Sequence, residues 1–284
     1  MSARYRTLIG VGDLIAHLDA PDWRIFDCRH DLAEPQFGRD AYADGHIPGA
    51  QFLHLDSDLS GPMNGTNGRH PLPDPLVLAA RLGALGVASG MQVIAYDDAG
   101  GMFAARLWWL MRWLGHERVA VLDGGLHAWR DAAQPLTRQV PAFAPTRFDA
   151  SVQPLAVDAD FVARHLEAAD MVLIDARSPD RFRGENETLD PVGGHIPGAL
   201  NRFFRDNLAA AGHFKRPAVL CDEFSRLLGG RAPATVVHQC GSGVTACHNL
   251  LAMEHAGLGG SRLYAGSWSE WCADPRRPIA TGPR

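Results

Sequence analysis

Short apolar runs punctuate the chain: Arg24-Ile25-Phe26-Asp27-Cys28-Arg29, Gln92-Val93-Ile94-Ala95-Tyr96-Asp97 and Val119-Ala120-Val121-Leu122 in the first half, then Val172-Leu173-Ile174-Asp175-Ala176-Arg177, Thr235-Val236-Val237-His238-Gln239-Cys240 and Arg262-Leu263-Tyr264 in the second. Continuous runs of this length predict buried strands. Helical periodicity lies between them. It is clearest after Cys240, where Val244, Cys247, Leu250, Leu251 and Met253 trace one face and Gly257 suits the C-terminal cap. Strand alternating with helix predicts an α/β fold with a mainly parallel central sheet flanked by helices on both faces, and an active site beyond the carboxyl ends of the strands.

The pattern occurs twice. Gly45-His46-Ile47-Pro48-Gly49-Ala50 returns about half a chain later as Gly194-His195-Ile196-Pro197-Gly198-Ala199, and the strand runs before and after each copy correspond in order. Such self-similarity marks a duplicated unit, so two similar domains are expected. Pro135, Pro141, Pro145 and Pro154 interrupt a stretch of little periodicity that reads as an extended linker. The boundary is placed near residue 145, giving domains 1–144 and 145–284. Pro and Gly of the repeated motif fix a turn, and His46 and His195 are read as serving backbone groups beside it.

Composition narrows the functional classes. The formal net charge over 284 residues is −5, without the clustered Lys and Arg that a phosphate backbone requires, so nucleic acid is not an expected partner. No segment approaches ~20 uninterrupted apolar residues and Met1–Gly10 lacks a signal-like apolar run, so no membrane association and a cytoplasmic location are expected. The five cysteines, at 28, 221, 240, 247 and 272, are odd in number and include no C-x-x-C pair. Neither disulfides nor a metal site is expected.

Cys240 stands apart from the other four. It ends a strand run and opens the loop Cys240-Gly241-Ser242-Gly243-Val244-Thr245 before a helix. Unpaired N–H groups at a helix N-terminus and in a glycine-rich curve can converge on one anionic atom there. That setting favours a thiolate nucleophile and would equally hold a persulfide. Cys247, seven residues on and on the apolar stripe, is read as core, and Cys28, Cys221 and Cys272 are assigned no chemistry. A cysteine phosphatase would need an arginine at the end of this loop to grip phosphate, and Ala246 stands there.

Together, the paired Gly-His-Ile-Pro-Gly-Ala motifs, the Cys240 loop and Gly266-Ser267-Trp268-Ser269-Glu270-Trp271 resemble the tandem rhodanese family, and among its members the 3-mercaptopyruvate sulfurtransferases. The resemblance implies that only the second half is catalytic, because Asp97 stands opposite Cys240. It implies a proton-handling triad of Ser242, His70 and Asp56, a sulfur cradle formed by Gly241, Gly243, Val244 and Thr245, and Arg181 on the donor's carboxylate. For His70 and Asp56 the alternative is a polar turn residue, and for Arg181 a surface arginine. A second carboxylate-binding arginine usual in the family is missing, since Leu189, Asp190 and Pro191 occupy its place; Arg183, Arg202 and Arg205 are candidate replacements.

Members preferring thiosulfate typically carry Arg-Lys where this chain has Gly241-Ser242, so 3-mercaptopyruvate is the expected donor and thiosulfate the alternative. The expected acceptor is a thiol, a thioredoxin-like protein or cyanide, with no metal or organic cofactor. A non-catalytic docking module built on the same fold is the rival from another class, and a cysteine phosphatase or arsenate reductase is a more distant one.

Overall fold

The computed structural model describes residues 5–168 and 170–283. It forms two compact units, one comprising the chain up to Gly61, Pro73–Gln153 and Ala210–His213, the other Pro62–Leu72, Pro154–Ala209 and the chain from Phe214 onward. In the first unit the strands are β1 (Leu8–Ile9), β2 (Trp23–Asp27), β3 (Ala50–Phe52), β4 (Gln92–Tyr96) and β5 (Val119–Leu122), with helices α1 (Val11–Ile15), α2 (Phe37–Asp44), α3 (Pro75–Ala84), α4 (Ala104–Trp113) and α5 (Gly125–Asp131). The second unit repeats the plan with β6 (Ala156–Val157), β7 (Val172–Asp175), β8 (Leu200–Asn201), β9 (Val236–Gln239) and β10 (Arg262–Tyr264). Its helices are α6 (Ala159–Ala168), α7 (Pro179–Arg183), α8 (Pro217–Leu228), α9 (Thr245–His255) and α10 (Ser267–Trp271).

Both sheets are parallel throughout, in the orders β1-β5-β4-β2-β3 and β6-β10-β9-β7-β8. Successive residues of a strand face opposite ways. In the first unit Trp23, Ile25, Ile94, Tyr96, Ala120 and Leu122 share one core with Leu14 of α1 and with Leu126 and Trp129 of α5. The intervening Phe26, Val93, Ala95, Val119 and Val121 are just as buried on the other face. Two covered faces are why these strands read as unbroken apolar runs. The second unit builds its matching core from Leu173, Val237, Tyr264, Trp268 and Trp271.

The α/β fold of two similar domains is therefore as expected. The boundary is not, because the chain between 145 and Gln153 packs on the first unit: the amides of Thr146, Ser151 and Gln153 donate to the carbonyls of Gly83, Leu114 and Trp113 at 2.8, 2.9 and 2.8 Å. The division falls after Gln153, and Pro62–Leu72 leaves the first unit to join the second.

Chain order sets the location of the site. In the second unit the chain steps outward from β7 to β8, returns to β9 and then continues the other way to β10. The winding thus reverses between β7 and β9, and the crevice beyond their carboxyl ends is where an open parallel sheet binds ligands. Cys240 immediately follows β9.

Candidate active site

A buried ion pair anchors the end of β7. The Arg177 guanidinium donates to Asp175 at 2.6 Å and to the Gly194 carbonyl at 2.7 Å, tying the strand to the Gly-His-Ile-Pro-Gly turn. The first unit repeats this with Arg29, Asp27 and the Gly45 carbonyl. Each histidine of the repeated motif stacks on an aromatic ring, His46 on Tyr42 and His195 on Phe182, both at 3.8 Å between ring centroids. Each Nδ1–H donates to the carbonyl of that same aromatic residue, at 2.7 and 2.9 Å. His195 also exchanges backbone hydrogen bonds with Ala280. Both histidines are structural.

Cys240 is 2% exposed. The N-terminal end of α10 holds its loop: Trp268 and Ser269 amides donate to the carbonyls of Cys240 and Gly241 at 3.0 and 2.9 Å, and the Cys240 amide donates to Ser267 Oγ at 3.1 Å. Gly243 has a φ of +78°, and a Cβ there would run into the Ala265 carbonyl oxygen, so the curve needs glycine. Val244 and Thr245 carry the loop into α9, where the Cys247 amide turns back to the Val244 carbonyl at 3.1 Å and no side-chain hydrogen bond from Val244 caps the helix.

The first unit shows where amides of such a loop point. Asp97, which follows β4 as Cys240 follows β9, is fully buried; its Oδ1 accepts the amides of Ala99 and Gly101 and its Oδ2 those of Phe103 and Ala104, at 2.8–2.9 Å. Four N–H groups converge on one anion at the strand end. By the register of the repeat, Cys240 holds the equivalent position.

His70 comes to this loop from a distant part of the sequence. Its Nδ1 lies 2.7 Å from Ser242 Oγ and both residues are buried. The neighbouring Arg69 amide donates to Ser269 Oγ at 3.1 Å, so the Gly68-Arg69-His70 segment is fixed on the same α10 turn that fixes the loop.

Arg181, on α7, also reaches the loop. Its Nε and Nη2 donate to Glu187 at 2.8–3.1 Å, and Nη2 lies 3.5 Å from Asp190. A Cβ at Gly241 would sit 3.4 and 3.7 Å from the Nη2 and Nη1 of Arg181 and only 2.9 Å from Arg69 Nη2. Burial works against the Glu187 charge, but the Arg181 guanidinium together with the amides of Leu189 and Asp190 outweighs it and holds this carboxyl below its usual range. Burial raises Asp190 despite the Arg69 guanidinium beside it. Of the candidate replacement arginines, Arg183 pairs with Glu185 at 2.6 Å, Arg202 pairs with Glu223 at 2.6 Å, and Arg205 lies over the Phe204 ring. The guanidinium beside Arg181 is instead that of Arg69, which sequence reasoning missed although it adjoins His70.

Asp56 belongs to the first unit. Its amide donates to His54 Nδ1 at 3.1 Å, and its carboxylate lies 4.0 Å from the same nitrogen. His30, His54 and Asp56 bring their ligand atoms within 4.8 Å of one another, the spacing of a metal site. The fit is poor, because His54 Nε2 donates to the Pro35 carbonyl at 2.8 Å while Nδ1 accepts the Asp56 amide, leaving that ring without a spare lone pair.

Other cysteines lack this setting. Burial, reinforced by Asp27, raises the Cys28 thiol well above the usual range, and burial pushes Cys272 up to about 11. Cys247 is buried in α9, its Sγ 3.3 Å from the Gly243 carbonyl. Neither Cys28 nor Cys272 is expected to react with iodoacetamide at pH 7.5 in the native protein within the time that alkylates Cys240, a prediction checked by peptide mapping. Equal labelling of all three would contradict it.

The rhodanese-like domain family matches residues 11–132 and again 158–274, so the chain belongs to that family as a tandem-domain sulfurtransferase, an enzyme that moves sulfur through a cysteine persulfide. Its likeness within the family is to the 3-mercaptopyruvate sulfurtransferases. A Pseudomonas aeruginosa protein named as a probable 3-mercaptopyruvate sulfurtransferase is 50% identical over 281 residues, covering 97% of this chain and 98% of that protein. One from Mycobacterium tuberculosis that carries a thiosulfate sulfurtransferase name is 38% identical over 291 residues, covering 99% of each. Among solved structures, the 3-mercaptopyruvate sulfurtransferase from Leishmania major superimposes with a TM-score of 0.85 at 29% identity, covering 96% of this chain and 76% of that one. Among the described residues no helix is long and apolar enough to cross a membrane.

Proposed function

We propose that Cys240 is the sulfur-carrying nucleophile and that 3-mercaptopyruvate is the donor. The observation that carries this reading is the Ser242–His70 pair on the Cys240 loop, with the guanidinium groups of Arg69 and Arg181 beside Gly241. In the first half-reaction the Cys240 thiolate attacks the donor sulfur. The C–S bond breaks, its electron pair passes to carbon as the enolate of pyruvate, and the proton formerly on the donor thiol ends on that carbon. Ser242 and His70 are placed to move this proton. Asp56 keeps the third role in the relay that the family resemblance gives it, and loss of rate in Asp56→Asn tests that role.

Arg181 binds the carboxylate, and amides of Gly241 to Thr245 hold the persulfide anion. In the second half-reaction a thiol, a thioredoxin-like protein or cyanide attacks the outer sulfur and returns the Cys240 thiolate, giving ping-pong kinetics. The M. tuberculosis relative's name keeps thiosulfate as a second donor, although Gly241 and Ser242 put no cation in the loop itself.

Intact mass after brief exposure of wild type and Cys240→Ser to each donor, without reductant, decides between these. Wild type alone is expected to gain one sulfur atom, faster from 3-mercaptopyruvate. Faster loading from thiosulfate would overturn the donor assignment, and loading of Cys240→Ser would overturn the nucleophile.

A further inference from the structure

Ser267 holds a backbone conformation that residues with a side chain rarely adopt. Its φ is +54°, in the left-handed region, and among the described residues Ala133 is the only other non-glycine residue with a positive φ. Ala133 follows the C-terminal end of α5, where a left-handed residue is a common way to stop a helix. Ser267 instead begins α10. In the first unit the matching position, the first residue of α5, is Gly125, with a φ of +57°. Glycine is needed there, because a Cβ would collide with the Asp97 carbonyl oxygen. The second unit keeps the same bend but sets a side chain on it, and strain of this kind persists where the surroundings hold it and function uses it.

The hydroxyl reaches Cys240. Ser267 is fully buried; its Oγ accepts the Cys240 amide at 3.1 Å and donates to the Tyr264 carbonyl at 2.9 Å. The next residue, Trp268, donates its amide to the Cys240 carbonyl at 3.0 Å. Both peptide groups flanking the Cys240 Cα are therefore pinned by consecutive residues of one turn, which fixes its φ and ψ and with them the direction of the Cα–Cβ bond. In the first unit Leu126 makes the equivalent bond to the Asp97 carbonyl at 2.8 Å, but Gly125 offers no hydroxyl. Asp97 is held at its tip by four amides instead. A side chain that must pick up and release sulfur cannot be tethered at its tip and has to be aimed from its base.

We propose that Ser267 is a positioning residue for the nucleophile: its hydroxyl clamps the Cys240 amide and so aims the thiolate at the incoming sulfur, and its left-handed backbone is retained for that purpose. This assignment rests on Cys240 as the nucleophile and holds for either donor. The hydroxyl bonds go to backbone groups only, so Ser267 acts through Cys240 rather than on the donor.

Two substitutions separate the hydroxyl from the strain. Ser267→Ala keeps a Cβ at positive φ and loses the hydroxyl, whereas Ser267→Gly loses both. Relief of strain should make Ser267→Gly the more stable of the two in urea. Sulfur loading is then followed in a single turnover, by rapid quench and intact mass, with the donor that loads wild type faster. The maximal rate is expected to fall about tenfold in both variants, the scale of one lost hydrogen bond at a reacting group. The donor concentration giving half that rate should stay within about twofold.

Rates that follow stability, with Ser267→Gly close to wild type and Ser267→Ala slow, would show that the hydroxyl only supports the turn and would overturn the assignment. Wild-type loading in both, or a change confined to the donor concentration, would overturn it too. Should Ser267→Ala not fold, Ser267→Gly decides alone: slow loading supports the clamp, and wild-type loading ends it. Peptide mapping of the loaded wild type keeps the two readings apart. Sulfur on a cysteine other than Cys240 would sink the nucleophile and the clamp together, and sulfur on Cys240 with both variants indifferent would sink the clamp alone.

Discussion

His70→Ala is expected to slow sulfur loading from 3-mercaptopyruvate by about 100-fold or more, the scale on which positioned proton transfer contributes to catalysis. His70 Nδ1 and Ser242 Oγ are 2.7 Å apart in a buried setting, and only the first half-reaction breaks a C–S bond and must deliver a proton to carbon. The second half-reaction, attack on the outer sulfur, needs no such delivery. Protein loaded beforehand with polysulfide should therefore release sulfur to cyanide at close to the wild-type rate in the variant. Rapid-quench measurement of pyruvate and of thiocyanate separates the two steps. Equal slowing of both would show that His70 merely supports the loop, and no slowing of either would remove it from the chemistry.

The second large effect concerns stability. Arg177→Met leaves the fully buried Asp175 carboxylate without its cation, and breaking such a pair costs about 3–5 kcal/mol. The guanidinium also lies 4.8 Å from the Trp268 ring and holds the Gly194 carbonyl, so its loss removes several contacts at once. Replacing both partners with apolar residues, as in Arg177→Met with Asp175→Leu, should cost less than the single change because no lone charge stays buried. Urea denaturation of the three proteins measures this. A double variant as unstable as Arg177→Met would mean that lost packing, rather than an orphaned charge, dominates.

The duplicated fold was legible because each central strand is covered on both faces and so appears as an unbroken apolar run, and because a six-residue turn is repeated. Edge strands β1, β3, β6 and β8 span only two or three residues, too few for any periodicity to show. The boundary was misjudged because prolines suggested a free linker, whereas Thr146, Ser151 and Gln153 hydrogen-bond to the first unit and Phe148 is buried. Within the site, the Cys240 loop announced itself through its glycines and its place between strand and helix. Arg69 did not, although it adjoins His70. Its significance depends on Pro62–Leu72 joining the second unit and on the deeper carboxylates behind it, and no linear pattern encodes either.

Asp97 gives the duplication a further meaning. The first unit retains the loop and its converging amides but fills them with a carboxylate that the chain itself supplies and never gives up. On the proposed reading, the loop after β9 in the second unit instead serves a sulfur atom that must arrive, stay and depart in every cycle. One copy has become a locked joint and the other a loading dock, and they differ by whether the anion is part of the protein or its cargo.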